Sequence, residues 1–162
     1  MTPELFLRIA IEPALALLPP RMDTPAARAM ILAICLQESA GLKHRRQVLG
    51  PARGFPQFEV GGIRGILGHK ASKAHLANAL EALAYPVTND ATVPYVAIEH
   101  NDVLAAVCAR LLLWTLPTPL PCPDTPAEAY EQYIKAWRPG RPHPETWAEY
   151  YRSAWALVGA EV

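Results

Sequence analysis

The sequence predicts a mostly α-helical single domain, residues 1–162, with about six to seven helices and one glycine-rich loop. Apolar residues recur at helical spacing in most segments, and prolines fall at the expected starts and ends of those segments. No convincing alternating strand pattern is present. A chain of 162 residues is long enough to bury a core without disulfides or a structural metal.

Two helices are predicted before the glycine-rich loop. The segment from Pro3 to Leu18 has helical apolar spacing and ends at a Pro-Pro pair, which cannot continue a helix. The second helix begins with Asp23 or Thr24 as its cap, places a proline at the first helical position and runs to about Ala40. Its second half is strongly apolar, which indicates a buried helix.

The stretch from Gly41 to Gly62 has no sustained periodicity and is rich in glycine and proline. We expect a shaped loop, compatible with a short hairpin. Long loops in compact domains are usually functional or disordered, and the apolar Phe55, Phe58 and Val60 argue against disorder.

Helical periodicity returns after the loop. We expect a short turn from Ile63 to Leu67, a helix over about Ser72–Tyr85, and the longest helix over Pro94–Trp114. The apolar positions of this longest helix indicate a central, largely buried element.

The last part of the chain alternates proline-rich and helical segments. Five prolines between Thr115 and Pro126 indicate an extended connector. A helix is then expected from Thr125-Pro126 to about Trp137, followed by a break and a last helix from Pro144 to about Val158.

The composition limits the possible partners and cofactors. Fifteen basic and fifteen acidic residues balance, so no net field favours nucleic acid or an anionic membrane. No apolar stretch reaches the ~20 residues of a membrane span, and the N-terminus lacks the features of a signal peptide. Histidine spacing gives no metal site, and we assign no cofactor. The three cysteines, of which Cys35 and Cys108 lie in apolar runs, are interpreted as reduced and packed rather than cross-linked.

Glu38 is the main candidate for chemistry. It closes an apolar helix, where the helix C-terminus and apolar neighbours both disfavour a charged carboxylate. Both effects raise the pKa, and a glutamic acid with a pKa of roughly 6 is suited to act as a general acid near neutral pH. The competing interpretation is an ordinary polar residue at a helix end.

The spacing around Glu38 resembles a known family. Glu38-Ser39 ends an apolar helix, and Gln57 follows within Pro-Ala-Arg-Gly-Phe-Pro-Gln. This pattern is similar to the lysozyme-like superfamily, in particular the soluble lytic transglycosylases and goose-type lysozymes, whose loop reads Gly-Ala-x-Gly-Leu-Met-Gln. Ala52 and Gly54 also match, whereas Pro51 replaces the first glycine. The family's Ala-Tyr-Asn-x-Gly element corresponds weakly to residues 136–140, in which only the alanine and glycine agree.

The resemblance implies a lysozyme-like domain that cleaves peptidoglycan glycan strands between N-acetylmuramic acid and N-acetylglucosamine. Glu38 would be the general acid, as in lysozyme, whose carboxylate chemistry is the type case. A hydrolase also needs a second carboxylate, for which Glu59 is the nearest candidate; a lytic transglycosylase can work with one. The sequence leaves open whether Glu59 is catalytic or only a solvated loop residue.

The resemblance also implies a substrate-binding set. Gln57 and the backbone of Gly54 would hydrogen-bond the glycan, and Trp137 is either a core aromatic or a platform for a sugar face. Arg45 and Arg46 could meet peptide-stem carboxylates, or form a solvated turn. The full set of expected substrate-binding residues is Ser39, Gly54, Gln57, Trp137 and Arg138.

In its small size and its expected lack of a leader, the chain resembles proteins encoded by tailed bacteriophages. On that interpretation a monomer is synthesised in the cytoplasm and acts on the cell wall after phage-mediated release or as part of a virion. The alternative function is that of a non-catalytic phage structural or assembly protein that retains the fold, since a fold alone does not prove activity.

Overall fold

The computed structural model describes residues 1–159 and has eight α-helices and no strands in that range. The prediction of a mostly helical chain is confirmed. The number of helices exceeds the predicted six to seven because one expected helix is divided in two.

The first helix, α1, consists of three consecutive segments, an α-helical turn Pro3–Phe6, a π-helical segment Leu7–Ile11 and an α-helical segment Glu12–Ala16. Within it, the backbone N–H of Glu12 donates to the carbonyl of Leu7, five residues earlier. Pro13 follows directly, and a proline ring clashes with the carbonyl four residues before it. The π segment widens the helix at this point, and the helical segment expected over Pro3–Leu18 ends at Ala16.

Helix α2, Pro25–Glu38, begins as predicted and ends earlier than predicted. The Thr24 hydroxyl accepts from the Ala27 N–H at 3.1 Å, which confirms it as the cap. After Glu38 the chain turns sharply, with Ala40 at φ 51° and the Gly41 N–H bonded to the Leu36 carbonyl at 2.8 Å. This left-handed turn ends the helix two residues before the predicted boundary.

The glycine-rich segment forms two tight turns rather than a regular hairpin. Its only pairing among residues 1–159 is two isolated bridges, Arg46 with Arg53 and Arg53 with Phe58. Helix α3, Val60–Gly68, begins before the predicted end of the loop and includes Gly61 and Gly62. The irregular part therefore ends at Glu59, not at Gly62.

Helix α4, Lys73–Ala82, is followed by α5, Thr92–Ala97, and α6, Asp102–Trp114. The prediction of a single helix over Pro94–Trp114 was wrong. The chain is divided at Asn101, whose side chain accepts from the Leu104 N–H at 2.9 Å and caps the start of a new helix. The predicted burial is confirmed, since every residue from 104 to 113 is buried.

The last two helices agree with the predicted bounds. Helix α7 is Pro126–Trp137 and helix α8 is Pro144–Gly159. The connector between α6 and α7 has no regular structure. It is held by the Tyr151 hydroxyl of α8, which lies 3.2 Å from the carbonyl of Pro121 and 3.0 Å from that of Cys122.

Helices α2 and α6 form the centre of the molecule. Helix α2 packs most extensively against α8, and α6 is surrounded by α1, α2, α3, α4 and α7. Each central helix is almost entirely apolar, yet each carries one charged side chain near its C-terminal end, Glu38 in α2 and Arg110 in α6. These two groups mark two separate cavities.

No helix of the described chain is both long and apolar enough to traverse a bilayer. Within residues 1–159 no group of three histidine, cysteine or acidic side chains is placed to hold a metal ion. The three cysteines are free thiols, with Cys35 and Cys108 buried and Cys122 exposed.

Candidate active site

A cleft of about 750 Å³ opens at the C-terminal end of α2. One wall is the irregular segment with the start of α3, and the other is the end of α7 with the segment that follows it. Among the predicted site residues Glu38, Ser39, Gln57, Glu59, Trp137 and Arg138 all line this cleft. Residues that lie far apart in the sequence are thus brought together.

Glu38 lies at the base of the cleft, where α2 ends. Its side chain is partly buried, and its Oε1 accepts a hydrogen bond of 2.5 Å from the Tyr133 hydroxyl. Burial raises the pKa of Glu38 to about 7, and the bond from Tyr133 opposes that rise. At neutral pH the carboxyl group therefore exists in both protonation states.

Tyr133, on α7, is the site residue that the sequence analysis missed. It is 2% exposed, and its ring stacks on Trp147 of α8 at 4.9 Å between centroids and 6° between planes. Burial, followed by the negative charge of Glu38, raises the pKa of the Tyr133 phenol, so it remains a hydrogen-bond donor at neutral pH. The one signal available was its position one helical turn before Trp137, on the same face of the helix.

Ser39 contributes to the cleft wall while its hydroxyl serves the helix end. Its Oγ donates to the Cys35 carbonyl at 2.5 Å and accepts from the Leu42 N–H at 2.9 Å. Both bonds fix the turn that follows Glu38. The side chain is 2% exposed, so its contribution is to the position of Glu38.

Gln57 faces the same cleft as Glu38, with φ at 52°. Its side-chain amide donates to the Gly54 carbonyl at 2.7 Å, which holds the side chain against its own turn. No described residue hydrogen-bonds its Oε1, which leaves this acceptor available to a ligand.

Gly54 shapes the turn and is not among the described residues that line the cleft. Its φ is 70°, and its N–H donates to the Arg45 carbonyl at 2.6 Å. A Cβ at this position would lie 3.0 Å from the Ile98 carbonyl oxygen. The expected glycan contact from the Gly54 backbone is not available as the structure stands, because its N–H and carbonyl are both bonded within the loop.

Trp137 joins the two walls of the cleft. Its indole N–H donates to the Pro56 carbonyl at 2.8 Å, and its ring packs on Phe58 at 5.4 Å between centroids. Arg138 follows in the left-handed conformation, φ 50° and ψ 52°, and its side chain is exposed at the cleft.

Glu59 is exposed on the loop wall and precedes the first residue of α3. It lines the cleft that holds Glu38, so a second carboxylate is present there. Its exposure contrasts with the partial burial of Glu38.

The two arginines expected to meet a peptide stem differ in availability. Arg45 is bound to Asp102 through two hydrogen bonds, of 2.9 and 2.7 Å, and lies 4.3 Å from the centre of the Phe55 ring. It fixes the loop to α6 and does not line the cleft. Arg46 does line the cleft, and it lies 3.7 Å from Glu99.

The rim of the cleft carries three exposed arginines and two exposed histidines, Arg46, Arg138, Arg141, His44 and His143. Arg46 lies 3.7 Å from Glu99 and His143 lies 3.0 Å from Glu145, whereas Arg138 and Arg141 have no carboxylate partner within residues 1–159. The balanced composition of the whole chain gave no sign of these two arginines at the cleft.

The chain matches no protein-family model and no curated protein, and its fold matches no solved structure. The lysozyme-like resemblance therefore stays a prediction, which rests on the residues around Glu38 and Gln57. In the cleft, a carboxyl group with a pKa of about 7 lies beside a hydrogen-bond donor and opposite a polar loop, an arrangement suited to proton transfer.

Proposed function

We propose that the protein is a glycosidase that cleaves the peptidoglycan bond between N-acetylmuramic acid and N-acetylglucosamine, with Glu38 as the general acid. The observation that carries this proposal is the cleft placement of Glu38, with a pKa of about 7, in the same cavity as Gln57. A solvated carboxyl group on a convex surface would have argued for the structural alternative.

The proposed step begins with Glu38 in its protonated form. Its proton passes to the glycosidic oxygen while that oxygen leaves the anomeric carbon and positive charge develops on the sugar ring. Where the attacking hydroxyl group belongs to the same sugar, the resulting Glu38 carboxylate then removes its proton; where water attacks, that proton goes to Glu59 or to the Glu38 carboxylate. Since the pKa of Glu38 lies near neutrality, the same residue can serve as acid and then as base.

Two routes follow from two sources of that hydroxyl group. In a lytic transglycosylase it belongs to the same sugar and gives an anhydro product; in a hydrolase it is water and gives a reducing end. Glu59 lines the cleft and is the candidate to activate water. The transglycosylase route needs only Glu38.

The cleft offers contacts for a glycan with attached peptides. The free Oε1 of Gln57 accepts a hydrogen bond from a sugar hydroxyl or amide, and Trp137 presents an aromatic surface beside it. Arg138 and Arg141, which have no carboxylate partner within residues 1–159, would pair with the lactyl or stem carboxylates of the wall. Such a monomer would reach its substrate by phage-mediated release or as a virion component.

The proposal is tested with Glu38→Gln on purified cell walls, with turbidity loss as the measurement. General acid catalysis contributes about 10²–10⁴-fold, so we expect a loss of at least about 100-fold. Glu81→Gln on the exposed face of α4 is the matched control and should keep full activity. Glu59→Gln separates the two routes, because only a hydrolase that uses Glu59 as its base would lose activity.

Mass spectrometry of the products reports the route independently, as anhydro or reducing ends. Wild-type protein that clears no walls between pH 5 and 8 would contradict the proposal and favour the non-catalytic phage structural or assembly role. Equal activity of Glu38→Gln and wild type would also contradict it.

A further inference from the structure

Arg110 is a buried charge that the cleft chemistry does not use. It lies in the central helix α6 and is 3% exposed. Its Nε donates to the carbonyl of Met22 at 2.8 Å. Burial lowers the pKa of Arg110 to about 10, so the guanidinium is still charged at neutral pH.

No carboxylate compensates this charge. Within residues 1–159 no acidic side chain lies in ion-pair range of Arg110, and Nη1 and Nη2 have no hydrogen-bond partner. The remaining contact is with the ring of Trp114, whose centre lies 4.8 Å from the guanidinium carbon. Buried charges in proteins are usually paired, because an unpaired one loses its hydration without compensation.

Arg110 lines a second cavity of about 270 Å³. The other lining residues are Leu113, Trp114 and residues 116–120, at the start of the connector. None of them lines the Glu38 cleft. The volume is slightly below the range of sites for drug-sized molecules, roughly 300–1,000 Å³, which favours a smaller ligand.

The walls of this cavity select for an apolar ligand with one negative charge. They are made mostly of leucine, proline and tryptophan, and the one hydroxyl, that of Thr118, already accepts from the Gln132 amide at 3.2 Å. A planar fork of two N–H groups matches the two oxygens of a carboxylate. One cation balances a monoanion, whereas a phosphate dianion would remain uncompensated among apolar walls.

We propose that the Arg110 cavity binds a small carboxylate on an apolar stem, with Nη1 and Nη2 donating to its two oxygens and Trp114 packing on the stem. The site is separate from the proposed glycosidase cleft, so either can be correct without the other.

The test is a titration of the ¹⁵N-labelled wild-type protein with benzoate at constant ionic strength, followed by two-dimensional NMR. Benzamide, which has the same shape without the charge, is the matched control ligand. We expect chemical-shift changes concentrated at the Trp114 indole and at the amides of Leu113, Leu116, Thr118 and Leu120, and at least about tenfold weaker binding of benzamide.

Two variants complete the test. Arg110→Met should weaken benzoate binding by at least about tenfold, since it removes both donors. Arg21→Met is the control, because Arg21 is exposed and lies 5.7 Å from the same Trp114 ring without lining the cavity; it should bind as the wild type does.

The carboxylate could be that of a free organic acid or that of a peptide C-terminus. N-acetylphenylalanine, whose α-carboxylate resembles that of a peptide C-terminus, distinguishes these two sources. Tighter binding than benzoate would identify a chain end, and weaker binding a free acid. Scattered or absent shifts in the wild-type protein would overturn the proposal even if Arg110→Met does not fold, as would equal binding of benzoate and benzamide.

Discussion

The two central helices, α2 and α6, each carry one charged group near the C-terminal end, Glu38 partly buried and Arg110 buried, and the outcomes differ. Burial raises the pKa of Glu38 to about 7 and lowers that of Arg110 to about 10. The same desolvation therefore produces a group that gains and loses its proton near neutrality in α2, and a permanent cation in α6. The difference arises from the ordinary pKa values of the two side chains rather than from the depth of the helices. Glu38 is thus suited to proton transfer, and Arg110 only to holding an anion.

The first test of the contrast between Glu38 and Arg110 is the pH dependence of cell-wall clearing, which reports the titration of Glu38. If Glu38 is the acid, activity falls as its protonated fraction falls, which is about tenfold for each pH unit above 7. Activity at pH 9 should then be about 100-fold below its maximum. The measurement is the rate of turbidity loss at constant ionic strength, with circular dichroism to verify the fold at each pH. An activity that stays constant from pH 7 to pH 9 would exclude Glu38 as the acid.

The second test compares the free energy of unfolding at pH 5 and pH 8. The folded-state pKa of Glu38 lies above its ordinary value of 4.5, so its contribution is full below about pH 4.5 and is lost as pH rises through about 7. Wild type should lose roughly 2–3 kcal/mol relative to Glu38→Gln between these pH values. Urea denaturation measures this difference.

Arg110→Met serves as the comparison in the same measurement of the free energy of unfolding at pH 5 and pH 8. Because the guanidinium stays charged from pH 5 to pH 8, its replacement should change stability by an equal amount at both values. A pH-dependent effect at Arg110, or none at Glu38, would remove the contrast between the two helices.

The third prediction concerns a substitution in the loop opposite Glu38, which does not alter the surroundings of Arg110. Gly54→Ala places a Cβ at positive φ and 3.0 Å from the Ile98 carbonyl oxygen, which should lower the free energy of unfolding by about 2 kcal/mol. Gly61→Ala is the control, because a Cβ there meets nothing within 4 Å in α3. It should stabilise the helix by about 0.5–1 kcal/mol. Equal effects in thermal or urea unfolding would contradict the loop geometry.

The smallest expected effect is that of Tyr133→Phe. Loss of the 2.5 Å bond to Glu38 should reduce stability by about 1 kcal/mol. Since that bond lowers the pKa of Glu38, its removal should also move the alkaline limit of activity to higher pH. Tyr130→Phe is the matched control, because the Tyr130 hydroxyl has no hydrogen-bond partner within residues 1–159. An unchanged pH profile in Tyr133→Phe would show that the bond does not tune the acid.

Local signals predicted much of the fold. Pro25 and Pro126 mark helix starts because proline suits the first helical position, and both starts are confirmed. At the first of them the Thr24 side chain also caps the helix, whereas the Thr125 hydroxyl donates to the Cys122 carbonyl. The break at Asn101 was missed because apolar residues on both sides of it continue the same periodicity. The start of α3 was missed because two glycines disfavour a helix, whereas the burial of Ile63 and Ile66 favours it.

The candidate site was less predictable because it depends on contacts between distant parts of the chain. That Glu38 and Gln57 share one cleft was expected only from the resemblance to the lysozyme-like superfamily. Tyr133 lies 95 residues from Glu38, and only packing on α8 brings its hydroxyl to the carboxyl group. Arg45 looked available in the sequence, and only the fold pairs it with Asp102.

The hydrogen bond from the Trp137 indole to the Pro56 carbonyl has a consequence for how a polymer would enter. It ties the end of a helix to the opposing loop before any ligand arrives, so the groove has a fixed width. A receptor that needs no closing motion loses little conformational entropy on binding. If the cleft cleaves a glycan as proposed, binding energy from neighbouring sugar units would be available to bend the reacting ring toward its planar, charged form, and the glycan rather than the protein would change shape.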